Sequence, residues 1–353
     1  VNALEEILEN RAVDGWARHF ARHPFQINRP HESDAELVEM KGGPYVLAVT
    51  IDTISEEIAR GVYRDPFTMG WVTVMANLSD LAAVGAQALG IVISVALEPK
   101  RPESFRNRIA QGMASACRAL DVFILGGDTS AAREVSLTGC AFGFVPSGDK
   151  FLTRMGGRAG DTVFISGGAG RGNALGVRAL TGMPEEVFAE ASYRPMARLK
   201  EGALIRKFAA SCMDTSDGLF ITLDQLMRLN HIGFDIVAGW ESILAPDVQR
   251  FCARTEVPLW FMAAGIHGEF ELVFTVPQDD VGLFLDEAEK TGFYPVRIGV
   301  VQEKPRLTLT LPSGSRTELD MAPLRNLWAD PDVSLSRLFE EHHAWGKKWG
   351  IEP

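Results

Sequence analysis

The chain has 353 residues, 46% hydrophobic and 23% charged, the balance of a soluble globular protein long enough for two domains. A net charge of −11 argues against nucleic acid or an anionic membrane as partner, since both want a basic patch. It leaves room for a small phosphorylated ligand, because divalent cations invert the field of an acidic site.

The first 22 residues read as an acidic amphipathic helix without the basic and apolar regions of a signal peptide. "PYVLAVTI" (44–51) reads as a strand by length and β-branched content. In "FTMGWVTVMANLSDLAAVG" apolar Trp71, Val74, Met75, Leu78, Leu81 and Ala82 follow helical spacing, and Gly85 marks the stop. Thr73, Asn77 and Asp80 form a polar stripe at i, i+4, i+7 on the other side. "ALGIVISVAL" is a buried strand, too short to cross a bilayer. A helix over 103–119 and the strands "VFILG" and "EVSLTGCAFGFV" follow. The Gly-rich stretch 146–161 marks a boundary. Beyond it come a strand ("TVFISG"), helices in "NALGVRALTG", "KEGALIRKFAASC" and "GLFITLDQLMRL", and strands in "GEFELVFTV" and "YPVRIGVV". The tail from Val333 reads as an amphipathic helix appended to the second domain. Alternating strands and helices predict an α/β layer architecture.

Six aspartates sit at strand ends or on a helix face: Asp34, Asp52, Asp80, Asp128, Asp214 and Asp217. Magnesium takes hard oxygen ligands, usually one or two carboxylates plus waters and substrate phosphates, so scattered single acids suit it. Hydroxyls of Thr50, Thr53, Thr129 and Ser216 stand beside them. Taken singly, each aspartate is as readily a turn or N-cap residue. Recurrence, and the two glycines Gly126 and Gly127 that let backbone approach a ligand before Asp128, favour convergence on metal.

Other motifs are weaker. "SGGAGRGN" (166–173) lacks the dinucleotide spacing and reads as a tight structural turn, with an anion-binding helix start as the alternative. Neither a P-loop nor a Gly-x-Ser-x-Gly elbow is present. Cys117, Cys140, Cys212 and Cys252 stand far apart with no CxxC pair, as expected of reduced thiols in a cytoplasmic protein.

"VTIDT", "NLSDLAAVGA", "GGDTS", "LTRMGGRAGDTVFISG", "MDTSDGL" and "EFELVFT" occur in the order seen in thiamine-monophosphate kinases. The chain resembles that family, within the aminoimidazole-ribonucleotide-synthetase-like ATP users, from about Asp34 to Val301. The resemblance implies two α/β domains with mixed sheets: 1–148, whose sheet pairs with a second copy as a dimeric barrel, and 149–328, an α/β sandwich, followed by a helical extension over 329–353. It implies an ATP- and Mg2+-dependent phosphotransferase acting in line on the phosphate of a small heterocyclic substrate, without a phosphoenzyme. Thr50, Asp52, Asp80 and Asp128 would bind the magnesium of Mg-ATP, with Asp34, Asp214 and Asp217 completing the metal set. Asp52, Asp80, Asp128 and Asp217 would carry catalysis, while Gly126, Gly127, Asp128, Arg154 and Ser216 would bind the nucleotide. Tyr63, Glu269 and Trp328 fall where the family contacts its acceptor.

The chain departs from the family at three points. Ser33-Asp34 replaces two successive acids, "ISEEIARGVYRD" replaces a shorter "EGVHF", and "HGEFEL" puts Gly268 where a substrate-contacting glutamate is expected. The nucleotide half therefore reads as kept and the acceptor half as altered. A related ATP-dependent synthetase or a non-catalytic nucleotide-binding protein are the alternative readings.

Overall fold

The computed structural model describes residues 6–265, 267–311, 314–325 and 344–351. The chain opens with α1 (Leu8–Ala17), β1 (Glu36–Glu39), β2 (Tyr45–Thr53), α2 (Ser55–Ala59) and α3 (Pro66–Ala83). There follow β3 (Gln87–Leu97), α4 (Glu103–Leu120), β4 (Ile124–Ala131) and β5 (Ser136–Pro146). The second half holds β6 (Thr162–Ile165), α5 (Arg171–Thr181), α6 (Leu199–Ile205), β7 (Ser211–Asp214), α7 (Leu219–Asn230) and β8 (Gly233–Ile236). It continues through α8 (Trp240–Ile243), α9 (Pro246–Thr255), α10 (Leu259–Ala264), β9 (Leu272–Val276) and α11 (Val281–Lys290). The last elements are β10 (Val296–Gln302), β11 (Leu307–Thr310), β12 (Arg316–Leu319) and α12 (Ala322–Arg325).

Two mixed sheets result. The first has five strands in the order β1-β2-β5-β3-β4, antiparallel except for the β3–β4 pair. The second has seven, β12-β11-β8-β10-β6-β9-β7, with β8 and β11 parallel. In β5 every second residue, including Leu137, Ala141 and Val145, is buried against α3, the alternation expected of a sheet covered on one face. β6, β7, β8 and β9 are buried throughout, as strands covered on both faces are.

Helix α3 is the spine of the molecule. Asp65 caps it by accepting from the Phe67 and Thr68 amides, and Pro66 opens the first turn. Gly85, at φ +70, stops it as the sequence predicts. Its apolar residues fill the core of the first lobe. The Thr73–Asn77–Asp80 stripe faces protein rather than solvent: Thr73 and Asn77 are fully buried, and Asn77 accepts from the Asp52 amide at 3.0 Å. Farther along, α3 touches α6 of the second lobe, where a Cβ on Gly202 would stand 2.2 Å from the Ala82 carbonyl oxygen.

Several elements differ from expectation. Asp128 lies inside β4, not after it, because β4 runs on through the glycines to Ala131. The helix expected over 200–212 ends at Ile205, and Ser211–Asp214 forms β7, since β9 offers these residues a ladder. β8, β11 and β12 were not expected; all are four-residue strands. Trp328 and residues 329–343 lie outside the described residues. The described part of the tail packs on the second lobe, with Trp349 edge-on to Trp260 at 5.3 Å. No helix among the described residues is long and apolar enough to cross a membrane.

Helices α3 and α4 cross with backbones nearly in contact: a Cβ on Gly70 would sit 2.1 Å from the Ile109 carbonyl oxygen, and one on Gly112 2.1 Å from that of Phe67. Gly70→Ala should therefore destabilise the protein by about 1–3 kcal/mol, seen as a lower urea midpoint at unchanged slope. An unchanged midpoint would contradict this packing.

Candidate active site at the seam of the two lobes

Asp34 stands in the loop before β1, Thr50 and Asp52 on β2, Asp80 on α3, and Asp214 at the end of β7. Folding places carboxylate oxygens of Asp34, Asp80 and Asp214 within 4.8 Å of one another. Two come from the first lobe and one from the second. Asp80 accepts from the Thr50 hydroxyl at 2.5 Å, and Asp214 accepts from the Ser79 hydroxyl across the seam at 2.6 Å. The Ser216 hydroxyl donates to the other Asp214 oxygen at 2.9 Å. Arg154 reaches Asp34 at 3.0 Å, and its backbone is held between the Glu32 and Asn230 segments.

The donor set fits a hard divalent cation. Asp34 Oδ2 is buried and lacks a hydrogen-bond partner, although its side chain is only 2% exposed. Such an orphaned oxygen is costly unless something cationic reaches it. One guanidinium facing three close carboxylates leaves the group short of positive charge. Oxygen-only ligands at this spacing suit magnesium rather than zinc.

Electrostatics carry the same message. Burial, then the charges of Asp214, Asp52 and Asp34, push Asp80 well above the ordinary carboxylate range. Burial likewise raises Asp52 and Asp214 to about 6 and Asp217 to about 7. Asp217 is touched by Gln225 at 3.4 Å and feels the charges of Glu9, on α1, and of Asp214. Thus Asp34, Asp52, Asp80, Asp214 and Asp217 influence one another, while Arg154 and Ser216 bond directly within the group.

Asp128 is not among the three converging acids. It is exposed on β4, the edge strand of the first sheet, opposite Ser94. Gly126 is exposed beside it. Gly127 has a structural reason of its own, because a Cβ there would lie 2.0 Å from the Ile93 carbonyl oxygen.

The residues aligned with acceptor contacts are closed off. Tyr63 is 1% exposed, and its hydroxyl shares a hydrogen bond with His267 of the other lobe at 3.0 Å. Tyr193 stacks on Tyr63 at 6.0 Å and donates to the Gly268 carbonyl at 2.7 Å. A Cβ on Gly268 would fall 1.4 Å from the Thr215 carbonyl oxygen, so this loop lies backbone to backbone on the Asp214–Asp217 turn. Glu269 accepts at 2.6 Å from the amide of Gly170, the residue just before α5, at the helix start in "SGGAGRGN".

Several participants escaped the sequence reading. Glu57 on α2 keeps a buried oxygen without a partner, and burial and Asp52 raise it to about 7. Glu271 is gripped by Arg198 at 2.5 and 2.7 Å and by Ser166 at 2.5 Å. Ser79, beside Asp80, could have been noticed as a hydroxyl in "NLSD"; Arg198 and Glu271, 73 positions apart, carry no local signal.

The raised carboxyls fix the sign of a pH effect. Asp52, Asp214, Asp217 and Glu57 rise from 3.8 or 4.5 toward 6 or 7, so between about pH 4 and pH 7 the folded state binds more protons than the unfolded one. Stability then falls as pH rises through that window. His267, lowered to about 4 by burial, acts oppositely below 6.5, but it is one group against those four and the likewise raised Asp80 and Glu269. Metal-free protein should accordingly show a lower Tm near pH 8 than near pH 5, with Mg2+ restoring most of it near pH 8. A metal-free Tm that climbs with pH would contradict this electrostatic picture.

A family described as AIR synthase related protein, N-terminal domain, matches residues 32–145. The thiamine-monophosphate kinase of Archaeoglobus fulgidus is 30% identical over 253 residues, covering 71% of this chain and 80% of the relative. That of Pyrococcus horikoshii is 30% identical over 238 residues, covering 67% and 74%. Among solved structures, one from Thermus thermophilus matches with a TM-score of 0.74 at 28% identity, covering 85% of this chain and 95% of that one. AaThiL complexed with AMPPCP and TMP matches with a TM-score of 0.69 at 23% identity, covering 86% and 93%, a likeness of fold. With its sheets, motifs and relatives in agreement, this chain belongs to the thiamine-monophosphate kinase family.

Proposed function

We propose that the chain is an ATP- and Mg2+-dependent kinase that passes the γ-phosphoryl group directly to a phosphate oxygen of a small heterocyclic acceptor, with thiamine monophosphate the first candidate. The observation that carries this reading is the meeting of Asp34, Asp80 and Asp214 within 4.8 Å, with one buried Asp34 oxygen left without a partner. Asp34, Asp80 and Asp214, with Asp52 and Asp217 beside them, would hold magnesium. The ion, when bound, supplies charge neutralisation for the phosphates. Thr50, Ser79 and Ser216 orient the carboxylates, and Arg154 offsets Asp34. Phosphoryl transfer asks chiefly for positioning and electrostatic stabilisation, so the lack of an activated nucleophile in the motifs agrees with direct transfer. Burial of Tyr63 and the packing of Gly268 favour, as a second reading, an acceptor different from thiamine monophosphate.

The homodimer belongs to the same proposal. The first sheet and the residue leading into β4 expose Ile51, Leu89, Phe123 and Leu125, at 70%, 53%, 66% and 53%, an apolar surface that a second copy would bury. Pairing there would enclose Asp128, Gly126 and Gly127 on β4, giving them a route to the nucleotide. The proposed domain limits remain 1–148, 149–328 and 329–353.

Calorimetric titration with Mg-AMPPCP tests the site. Asp80→Asn should weaken binding by at least about tenfold, the scale on which disturbed metal sites lose affinity, and Asp128→Asn should also weaken it. Affinity that survives both changes together overturns the site assignment. ADP release stimulated by thiamine monophosphate identifies the acceptor; tight nucleotide binding with no stimulation by any phosphorylated heterocycle overturns the kinase reading.

A further inference from the structure

The segment 267–272 touches two structures at once: the glycine turn that starts α5 and the turn that carries Asp214. Both oxygens of Glu269, a residue only 3% exposed, are engaged there. One accepts from the Gly170 amide at 2.6 Å, the other from the Thr215 hydroxyl at 3.2 Å. The same hydroxyl accepts from the Glu271 amide at 3.0 Å, and the Thr215 amide donates to the Glu271 carbonyl at 2.7 Å. Thr215 lies between Asp214, one of the three converging carboxylates, and Ser216, whose amide and hydroxyl both donate to Asp214 Oδ1. A continuous chain of bonds thus runs from the rigid start of α5 through Glu269 and Thr215 to the Asp214 turn. Arg198 and Ser166 hold Glu271 from the other side and fix the rest of the segment.

We propose that Glu269 is a positioning residue for the metal-binding carboxylate Asp214, and not a contact to the acceptor. Its side chain is 3% exposed and both oxygens face protein donors, whereas an acceptor contact would need one turned toward a ligand. The inference rests on the reading of Asp214 as a metal ligand given above. Its physical content is preorganisation: a carboxylate whose turn is held from behind needs no reordering when the cation arrives.

Direct Mn2+ binding to the full chain, followed by electron paramagnetic resonance, tests this without any acceptor. Glu269→Ala should weaken Mn2+ affinity about tenfold. Glu269→Gln should stay within about threefold of the parent, because its amide oxygen can accept from Gly170 while its NH2 donates to Thr215. Thr215→Val, which breaks the same chain of bonds with little change in volume, should behave like Glu269→Ala and serves if that variant does not fold. Asp247→Asn, which removes the charge from the 2.9 Å Arg171–Asp247 ion pair at the same helix start, is the control: it should leave Mn2+ affinity unchanged, whatever it does to Tm. Unchanged Mn2+ affinity in both Glu269→Ala and Thr215→Val, with a raised KM for the acceptor in Glu269→Ala, overturns the proposal in favour of an acceptor contact. Equal loss in Asp247→Asn overturns it in favour of general loosening. If the parent chain itself binds no Mn2+, the metal reading of the site falls, and this inference with it.

Discussion

Three like charges held together in a protein interior need a reason. Asp34, Asp80 and Asp214 arrive from a loop, a helix and a strand end, and their oxygens come within 4.8 Å. In a partly buried seam their repulsion is screened far less than in water. Hydroxyls from Thr50, Ser79 and Ser216 and the guanidinium of Arg154 offset part of it. What remains shows as carboxyls pushed far above their ordinary range and an Asp34 oxygen with nothing to bond. A divalent cation would resolve that conflict. The two lobes are joined so as to create it, since Ser79 of one holds Asp214 of the other.

The rest of the fold follows from keeping these groups in register. Helix α3 is covered on one side by the first sheet and on another by α4 and α6, so Asp80 cannot drift. Asn77 pins the β2 backbone at Asp52 by two hydrogen bonds, one donated and one accepted. On the second lobe, the loop at Gly268 lies against the Asp214–Asp217 turn so closely that no side chain fits there. A Cβ at Gly268 would fall 1.4 Å from the Thr215 carbonyl oxygen. Tyr63, Tyr193 and His267 close the neighbouring interlobe space with buried hydrogen bonds and ring contacts.

Much of the fold was legible because its signals are local. The helical spacing of α3, its stop at Gly85 and the alternation in β5 come from periods a single segment displays. The four-residue strands β8, β11 and β12 were not legible, because their ladders are set by partners far along the chain. In the site, the motif aspartates were visible as isolated acids beside apolar runs. Sequence placed all six in one metal set without ranking them; the structure brings oxygens of Asp34, Asp80 and Asp214 within 4.8 Å and sets Asp128 on an exposed edge strand. Glu269 shows the same limit. Its position in "HGEFEL" suggested a substrate contact, and its bonds to Gly170 and Thr215, residues nearly a hundred and more than fifty positions away, left no trace in the sequence.

The most direct measurement is anomalous diffraction from crystals of the protein grown with Mn2+. A peak bridging the carboxylates of Asp34, Asp80 and Asp214 is the result predicted here, because that is where negative charge is concentrated and one oxygen lacks a partner. A fully occupied Mn2+ bound elsewhere, with those three carboxylates bare or turned apart, would contradict it.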